Sequence, residues 1–220
     1  MNILITGTSS GLGLALKTEY LKRKANVIDF NRNTCDLSDI KKIHKKIKHL
    51  TQDTFIDYVY LNAGMLGKLK KIVDVTIEEM AEVITVNALS SKIILDYLLI
   101  NNKVGNVISI SSGAAIKGYY GWSSYCGSKA LMKQLISCYA LEHTSVRFVS
   151  LAPGIMKTKM QDEIYAYDAA KIPSVKKFKE MYRKMDTPEH VAKKILCNIQ
   201  DILTQDNPNH YFDMRNIQDG

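Results

Sequence analysis

Tyr125 and Lys129 stand four positions apart in the segment Tyr125-Cys126-Gly127-Ser128-Lys129. On a helix that spacing puts both side chains on one face, with Cβ atoms about 5–6 Å apart. A phenol of reference pKa about 10 is a poor proton donor or acceptor near neutrality. A neighbouring ammonium favours the phenolate and brings the group into use as a general acid or base. Ser112 lies thirteen residues before the tyrosine, at the end of the apolar run that starts at Val107. From there its hydroxyl can hydrogen-bond a substrate oxygen as negative charge develops on it.

A second constellation is the turn Thr6-Gly7-Thr8-Ser9-Ser10-Gly11-Leu12-Gly13, which follows a strand and opens a helix. This is the context of a dinucleotide fingerprint. Gly7 permits the tight turn, Gly11 lets backbone approach a pyrophosphate, and Gly13 allows close packing of helix on strand. Phosphates then sit at the helix N-terminus, where free amides and the dipole favour anions.

The elements that must position these groups alternate along the chain. Asn2–Thr6, 26–30, 56–61, 104–110, 146–151 and 210–214 read as strands. Helices are expected over about 12–24, from a Ser38 cap to about 50, from Thr76 onward, over about 123–142 and from Thr187-Pro188-Glu189. Glu79 stands in the capping-box position relative to Thr76, and Ile77, Met80, Ala81, Ile84, Ala88, Ser91, Leu95 and Leu98 follow helical spacing behind it. Such βαβ alternation predicts a single-domain Rossmann fold: a doubly wound, mostly parallel α/β sheet of about seven strands with helices on both faces. After Pro153 the pattern becomes irregular.

The 220 residues suit one domain, and 46% hydrophobic and 24% charged residues match a soluble globular protein. Strand-like residues begin at Asn2, so no signal or transit peptide is expected, and no apolar run is read as approaching membrane-span length. Cys35, Cys126, Cys138 and Cys197 are scattered, without metal-binding spacing. A cytoplasmic location, with reduced thiols and no metal, is expected. The net charge is +8, and the densest basic run, Lys41, Lys42, Lys45, Lys46 and Lys48, interleaves with Ile40, Ile43 and Ile47. That pattern is the solvated face of an amphipathic helix, so neither a nucleic-acid nor a membrane partner is expected.

The TGxxxGxG turn, the YxxxK pair and the serine thirteen residues before the tyrosine resemble the short-chain dehydrogenase/reductase family, in its compact single-domain branch. The resemblance covers essentially the whole chain. It implies that Tyr125 is the general acid/base, that Lys129 binds the nicotinamide ribose and lowers the tyrosine pKa, and that Ser112 orients the carbonyl. It implies further that Asn87 holds a water in a proton relay. Asn87 does interrupt an otherwise apolar helical face, although a buried amide paired only with backbone would look the same.

By the same resemblance Asn62-Ala63-Gly64 lies beside the adenine ring, with Leu61 replacing the family's first asparagine, and Asp36, followed by Leu37, faces the adenine amino group. Pro153-Gly154-Ile155 and Thr158 hold the nicotinamide carboxamide. On residue type alone Asp36 also suits a helix cap and Thr158 an N-cap. Ser9, Ser10 and Leu12 complete the expected cofactor contacts.

Cofactor preference is expected at the end of the second strand. Asn31 stands where an acid would bind a ribose 2′-hydroxyl, and Arg32 follows it, suited to a 2′-phosphate. NADP (NADPH) is therefore favoured; NAD remains open through Asp29 if the register slips by two. Tyr119, Tyr120 and Trp122 form a pocket wall or pack in the core. Positions 156–185 occupy the region of the family's substrate lid, and with Met160, Tyr165, Tyr167, Ile172, Phe178 and Tyr182 suggest an apolar, aromatic ketone or aldehyde. Cys126 is expected to pack rather than react. The family commonly forms homodimers or homotetramers, here through the helices of Asn87 and Tyr125. The competing readings are a low-turnover dinucleotide-sensing or signalling protein and, more remotely, a sugar epimerase or dehydratase, whose GxxGxxG turn and longer C-terminal half are absent.

Overall fold

A computed structural model describes every residue except 53, 206, 208, 209 and 218–220. Six strands, β1 (Asn2–Thr6), β2 (Asn26–Phe30), β3 (Ile56–Leu61), β4 (Val104–Ile110), β5 (Arg147–Ala152) and β6 (Tyr211–Asp213), form one sheet in the order β2-β1-β3-β4-β5-β6. Every neighbouring pair is parallel. The helices are α1 (Gly11–Lys22), α2 (Ile40–Thr51), α3 (Ile77–Ile84), α4 (Ser90–Ile100), α5 (Ser123–Glu142), α6 (Lys159–Ala166), α7 (Val175–Met181) and α8 (Pro188–Thr204).

Each inner strand is apolar on both sides, because alternate side chains feed different layers. Ile3, Ile5, Tyr60, Ile108, Ile110, Val149 and Leu151 pack with α1 and α8. Their sequence neighbours Leu4, Val59, Leu61, Val107 and Phe148 pack with α2, α4 and α5. A third cluster forms beyond the strand ends, around Trp122, Tyr125, Ile164, Val175 and Phe178.

The expected sheet of about seven strands is corrected to six among the described residues. Between β2 and α2 the chain turns back at once: the amides of Thr34 and Cys35 both donate to the Asn31 carbonyl. Positions 31–39 are thereby spent on a turn, with too few residues left for a crossover and a further strand. The expected Ser38 cap is also corrected. Asp39 caps α2 by accepting from the Lys42 amide, while Ser38 donates to Asp36 through both its amide and its hydroxyl.

The Thr76–Glu79 capping box forms in both directions. Beyond it, α3 and α4 run into one another through a π-helical turn, Thr85–Leu89, that contains Asn87. The wider turn changes the helical phase, so Ile77 and Ala81 stay exposed while Val83, Ala88, Ser91, Leu95 and Leu98 are buried. The expected apolar stripe therefore holds only in its second half. The expectation that no apolar run approaches span length is corrected: by length and composition the composite helix Ile77–Ile100 could cross a membrane. Some 56% of its apolar window is buried inside the protein, as in a core helix.

Candidate active site

The ends of β1, β3, β4 and β5 open into a cleft of about 1010 Å³. This is where ligands bind in open parallel sheets. Gly7, Ser9, Ser10, Gly11 and Leu12 line it on one side. Gly7 (φ +74°) and Gly11 (φ +57°) adopt the left-handed backbone that lacks a penalty only without a side chain. A Cβ on Gly7 would stand 2.8 Å from Ala63 Cα, and one on Gly13 would stand 2.2 Å from the Gly7 carbonyl oxygen. Gly13 does not line the cleft; its work is to let α1 sit against the turn. Ser10 precedes α1 without capping it through its side chain, and no acid occupies the first turn. The first amides of α1 are thus left for an anion.

Asn62, Ala63 and Gly64 also line the cleft. The Asn62 side-chain amide donates to the carbonyls of Thr6 and Gly7, while the amides of Asn62 and Ala63 both donate to Thr6 Oγ1. Asn62 is therefore a brace for the glycine turn.

At the far end of β2, Asn31, Arg32, Asp36 and Leu37 line the cleft, and Arg32 is exposed to it. Asp29 lies inside β2, paired in register with Ile5. Its carboxylate accepts from Lys17, Thr8 and Asn31. Burial works against its charge, but these bonds outweigh it and hold the carboxyl below the usual range. Asp29 is not among the cleft residues. Asp36 serves the Ser38 turn, whose hydrogen bonds lower its pKa.

Ser112, Tyr125 and Lys129 meet at the base of the cleft. Ser112 leaves β4 in extended backbone and its Oγ accepts from the Ala114 amide at 3.1 Å. Tyr125 and Lys129 share a face of α5, with Nζ 5.8 Å from the phenol ring centroid. Lys129 Nζ donates to the Ile110 carbonyl at 2.8 Å. Gly64 lies beside it: a Cβ there would be in ordinary contact with Nζ at 3.6 Å and tight against Asn87 Oδ1 at 3.3 Å.

Burial pushes the Tyr125 phenol up to about 12, against the opposing pull of the Ser112 hydroxyl. Burial also brings Lys129 down to about 8. The lowered phenol pKa expected from the adjacent ammonium is thus reversed here, because desolvation of the tyrosine dominates.

Asn87 is buried behind the site and does not line the cleft. Its Oδ1 accepts from the Met65 amide, and its Nδ2 donates to the Met65 carbonyl and to Ser128 Oγ. Both N–H groups of the side chain are committed to structure. Ser128, one residue before the lysine, is the unremarked partner that locks α5 to the π turn.

Pro153, Gly154, Ile155 and Thr158 line the opposite wall. Thr158 begins α6 without a side-chain cap bond, and its methyl lies 3.2 Å from where a Gly11 side chain would start. Tyr119 and Trp122 line the cleft, whereas Tyr120 faces outward. Trp122 stacks on Phe178 of α7 at 5.0 Å between centroids and donates its Nε1 proton to Ser174. Met160, Tyr167 and Phe178 line the cleft; Ile172 is buried without lining it, Tyr165 is exposed, and Tyr182 pairs with Asp162. Cys126 packs in the cluster around Tyr125. Gln161 and Arg215 were not anticipated. Arg215 lies beyond β6, paired with Asp213 and close to Gly154, a neighbourhood that no local pattern announces.

A six-stranded parallel sheet with a glycine turn at its first strand end and a Ser–Tyr–Lys set at its fourth defines a dinucleotide-binding oxidoreductase fold. The short chain dehydrogenase family model matches residues 30–169, and the chain belongs to that family. It is 28% identical to a benzil reductase ((S)-benzoin forming) of Bacillus cereus, over 88% of this chain and 91% of the relative. It is also 28% identical to an NADP-dependent 3-hydroxy acid dehydrogenase of Schizosaccharomyces pombe, over 88% and 85%. A short-chain dehydrogenase/reductase structure from Saccharomyces cerevisiae superposes with a TM-score of 0.85 at 19% identity, covering 98% of this chain and 96% of that one.

Proposed function

We propose that this oxidoreductase uses NADPH to reduce an apolar, aromatic ketone or aldehyde. The observation that carries the reading is the meeting of Ser112, Tyr125 and Lys129 in the cleft that the Gly7–Gly11 turn opens. The residues suit the dinucleotide: Gly7 and Gly13 let the turn and α1 pack without side chains that would collide with Ala63 and the Gly7 carbonyl, and the first amides of α1 carry no side-chain cap and no acid, leaving them for phosphates. Arg32, exposed at the end of β2, suits a 2′-phosphate, and Asp29 is already committed to Lys17. The bound cofactor supplies a hydride to the carbonyl carbon.

The residues do the rest. Tyr125, holding its proton at neutral pH, donates it to the carbonyl oxygen. Ser112, whose oxygen is occupied by the Ala114 amide, keeps its O–H for the same oxygen. Lys129 supplies positive charge beneath the phenol and a donor for the ribose. Asn87 sets the backbone at Met65 and anchors Ser128 beneath the relay.

Tyr119, Trp122 and Phe178 form an aromatic wall for the substrate, and the benzil reductase similarity supports the same class. Residues 156–185 act as the lid, closed at its base where Met156 bridges Asp186. Assembly into dimers or tetramers uses α4 and α5, supported by the exposure of Leu89, Ile100 and Leu141.

NADPH oxidation in the presence of benzil, aryl aldehydes and polar sugars tests the reading. Tyr125→Phe should lower kcat by at least about 100-fold while leaving NADPH affinity intact. Preference for sugars over aryl carbonyls, or full activity of the phenylalanine variant, would overturn it.

A further inference from the structure

We propose that the carbonyl substrate is an aryl oxo acid whose carboxylate is held by Lys117 and the Tyr119 hydroxyl, an assignment that rests on the carbonyl-reductase reading above and narrows it. Both residues line the cleft. They follow Ser112 closely in the chain, and the backbone brings their polar ends together. A Cβ on Gly113 would lie 3.5 Å from Tyr119 Oη and 4.0 Å from Lys117 Cε. Lys117 Nζ stands 5.4 Å from the centroid of the Tyr119 ring. Among the described residues Lys117 forms no ion pair, and Tyr119 Oη has no hydrogen-bond partner. A cation and a neutral donor are thus left free beside the serine that meets the carbonyl.

Arg215 adds a second positive charge nearby. Its Nε and Nη2 both donate to Asp213, and Lys117 also helps to hold that carboxyl below the usual range. One acid shared between two cations leaves a positive balance around it. The aromatic wall supplies the rest of the substrate's outline. The Tyr119 ring lies 5.3 Å from that of Trp122 and 5.8 Å from that of Phe178. An aryl group on this wall directs its carbonyl towards Ser112 and Tyr125, and a carboxylate beyond the carbonyl towards Lys117. That carboxylate can accept from the ammonium and the phenol at once. Holding both ends of the substrate fixes the carbonyl between them, so the contact orients as well as binds.

The test measures NADPH oxidation with phenylglyoxylate and with its uncharged methyl ester, in wild type and in Lys117→Met. In the variant kcat/KM for the acid should fall about tenfold or more, the scale of one charge-assisted hydrogen bond, while that for the ester changes less than about twofold. Unchanged ester turnover and NADPH affinity show that the variant is folded. Because Lys117 is exposed, the wild-type ratio of acid to ester should also shrink with added salt. A ratio that is the same in both proteins, or wild type that reduces the ester and not the acid, would overturn the assignment. So would an equal loss for both compounds with weakened NADPH binding, which would put Lys117 on the cofactor. Wild-type protein inactive with both compounds and with every aryl carbonyl named above would instead remove the reductase reading itself.

Discussion

Lys129 passes beside Tyr125 and donates to the Ile110 carbonyl at 2.8 Å, so the ammonium is tethered to the end of β4 rather than to the phenol. Its Nζ is held under the ring face, 5.8 Å from the centroid. Tether and burial together set the charge state of the site.

With Lys129 brought down to about 8, the ammonium is present at neutral pH and lost above it. Reductive kcat/KM should therefore fall above about pH 8, and Lys129→Met should be slow with no such limb. The stability effect runs the other way. Between about 8 and the usual lysine value of 10.5 the unfolded chain binds more protons than the folded one, so this site contributes more stability as pH rises. Below pH 8 it costs about 3 kcal/mol. Lys129→Met should thus melt higher than wild type at pH 7, with the gain shrinking towards pH 10.5. A pH-rate profile and paired thermal melts check both halves; a methionine variant less stable at pH 7 would contradict the second.

Arg32→Ala should raise KM for NADPH about tenfold or more and leave that for NADH nearly unchanged, since only the former carries the 2′-phosphate. The NADPH effect should shrink with added salt, because Arg32 is exposed. Equal changes with both cofactors would remove the phosphate contact.

Asn87→Ala strands the Met65 amide and carbonyl and releases Ser128. A loss of about 2–3 kcal/mol in unfolding free energy is expected, measured by urea denaturation. If the side chain serves chiefly as a brace, kcat per folded molecule at low temperature falls less than tenfold. A 100-fold fall would point to a direct part in proton relay.

Trp122→Phe keeps the aromatic stack on Phe178 but loses the bond to Ser174. That bond ties the turn before α5 to the start of α7. Substrate KM should rise several-fold with NADPH affinity unchanged; steady-state kinetics with an aryl ketone decide it.

How much of this was legible in the sequence differs from residue to residue. Tyr125, Lys129 and Ser112 were readable because helix period and a strand end place them without long-range information. Gly7 and Gly11 were readable because turn chemistry is local. The phase of α3 and α4 was not, since the π turn at Asn87 answers to Met65 and Ser128, which are remote in sequence. The direction of the Tyr125 shift was missed for a related reason: spacing shows the ammonium, but burial by Trp122 and the α6–α7 segment appears only in three dimensions. The partners of Arg215 and the unmatched oxygen of Gln161 likewise arise from segments that meet only after folding.

The Asn31 turn that stands in place of a seventh strand makes β2 the margin of the sheet. A margin strand has ladder bonds on one side alone, so in hydrogen exchange its outward amides, like those of β6 at the opposite margin, should trade their protons before those of the inner strands. The rigidity that Asn31 and Arg32 need for discrimination between cofactors then comes from side chains. Asp29, clamped by Lys17, Thr8 and Asn31, acts as the mooring that a missing neighbour strand would otherwise supply.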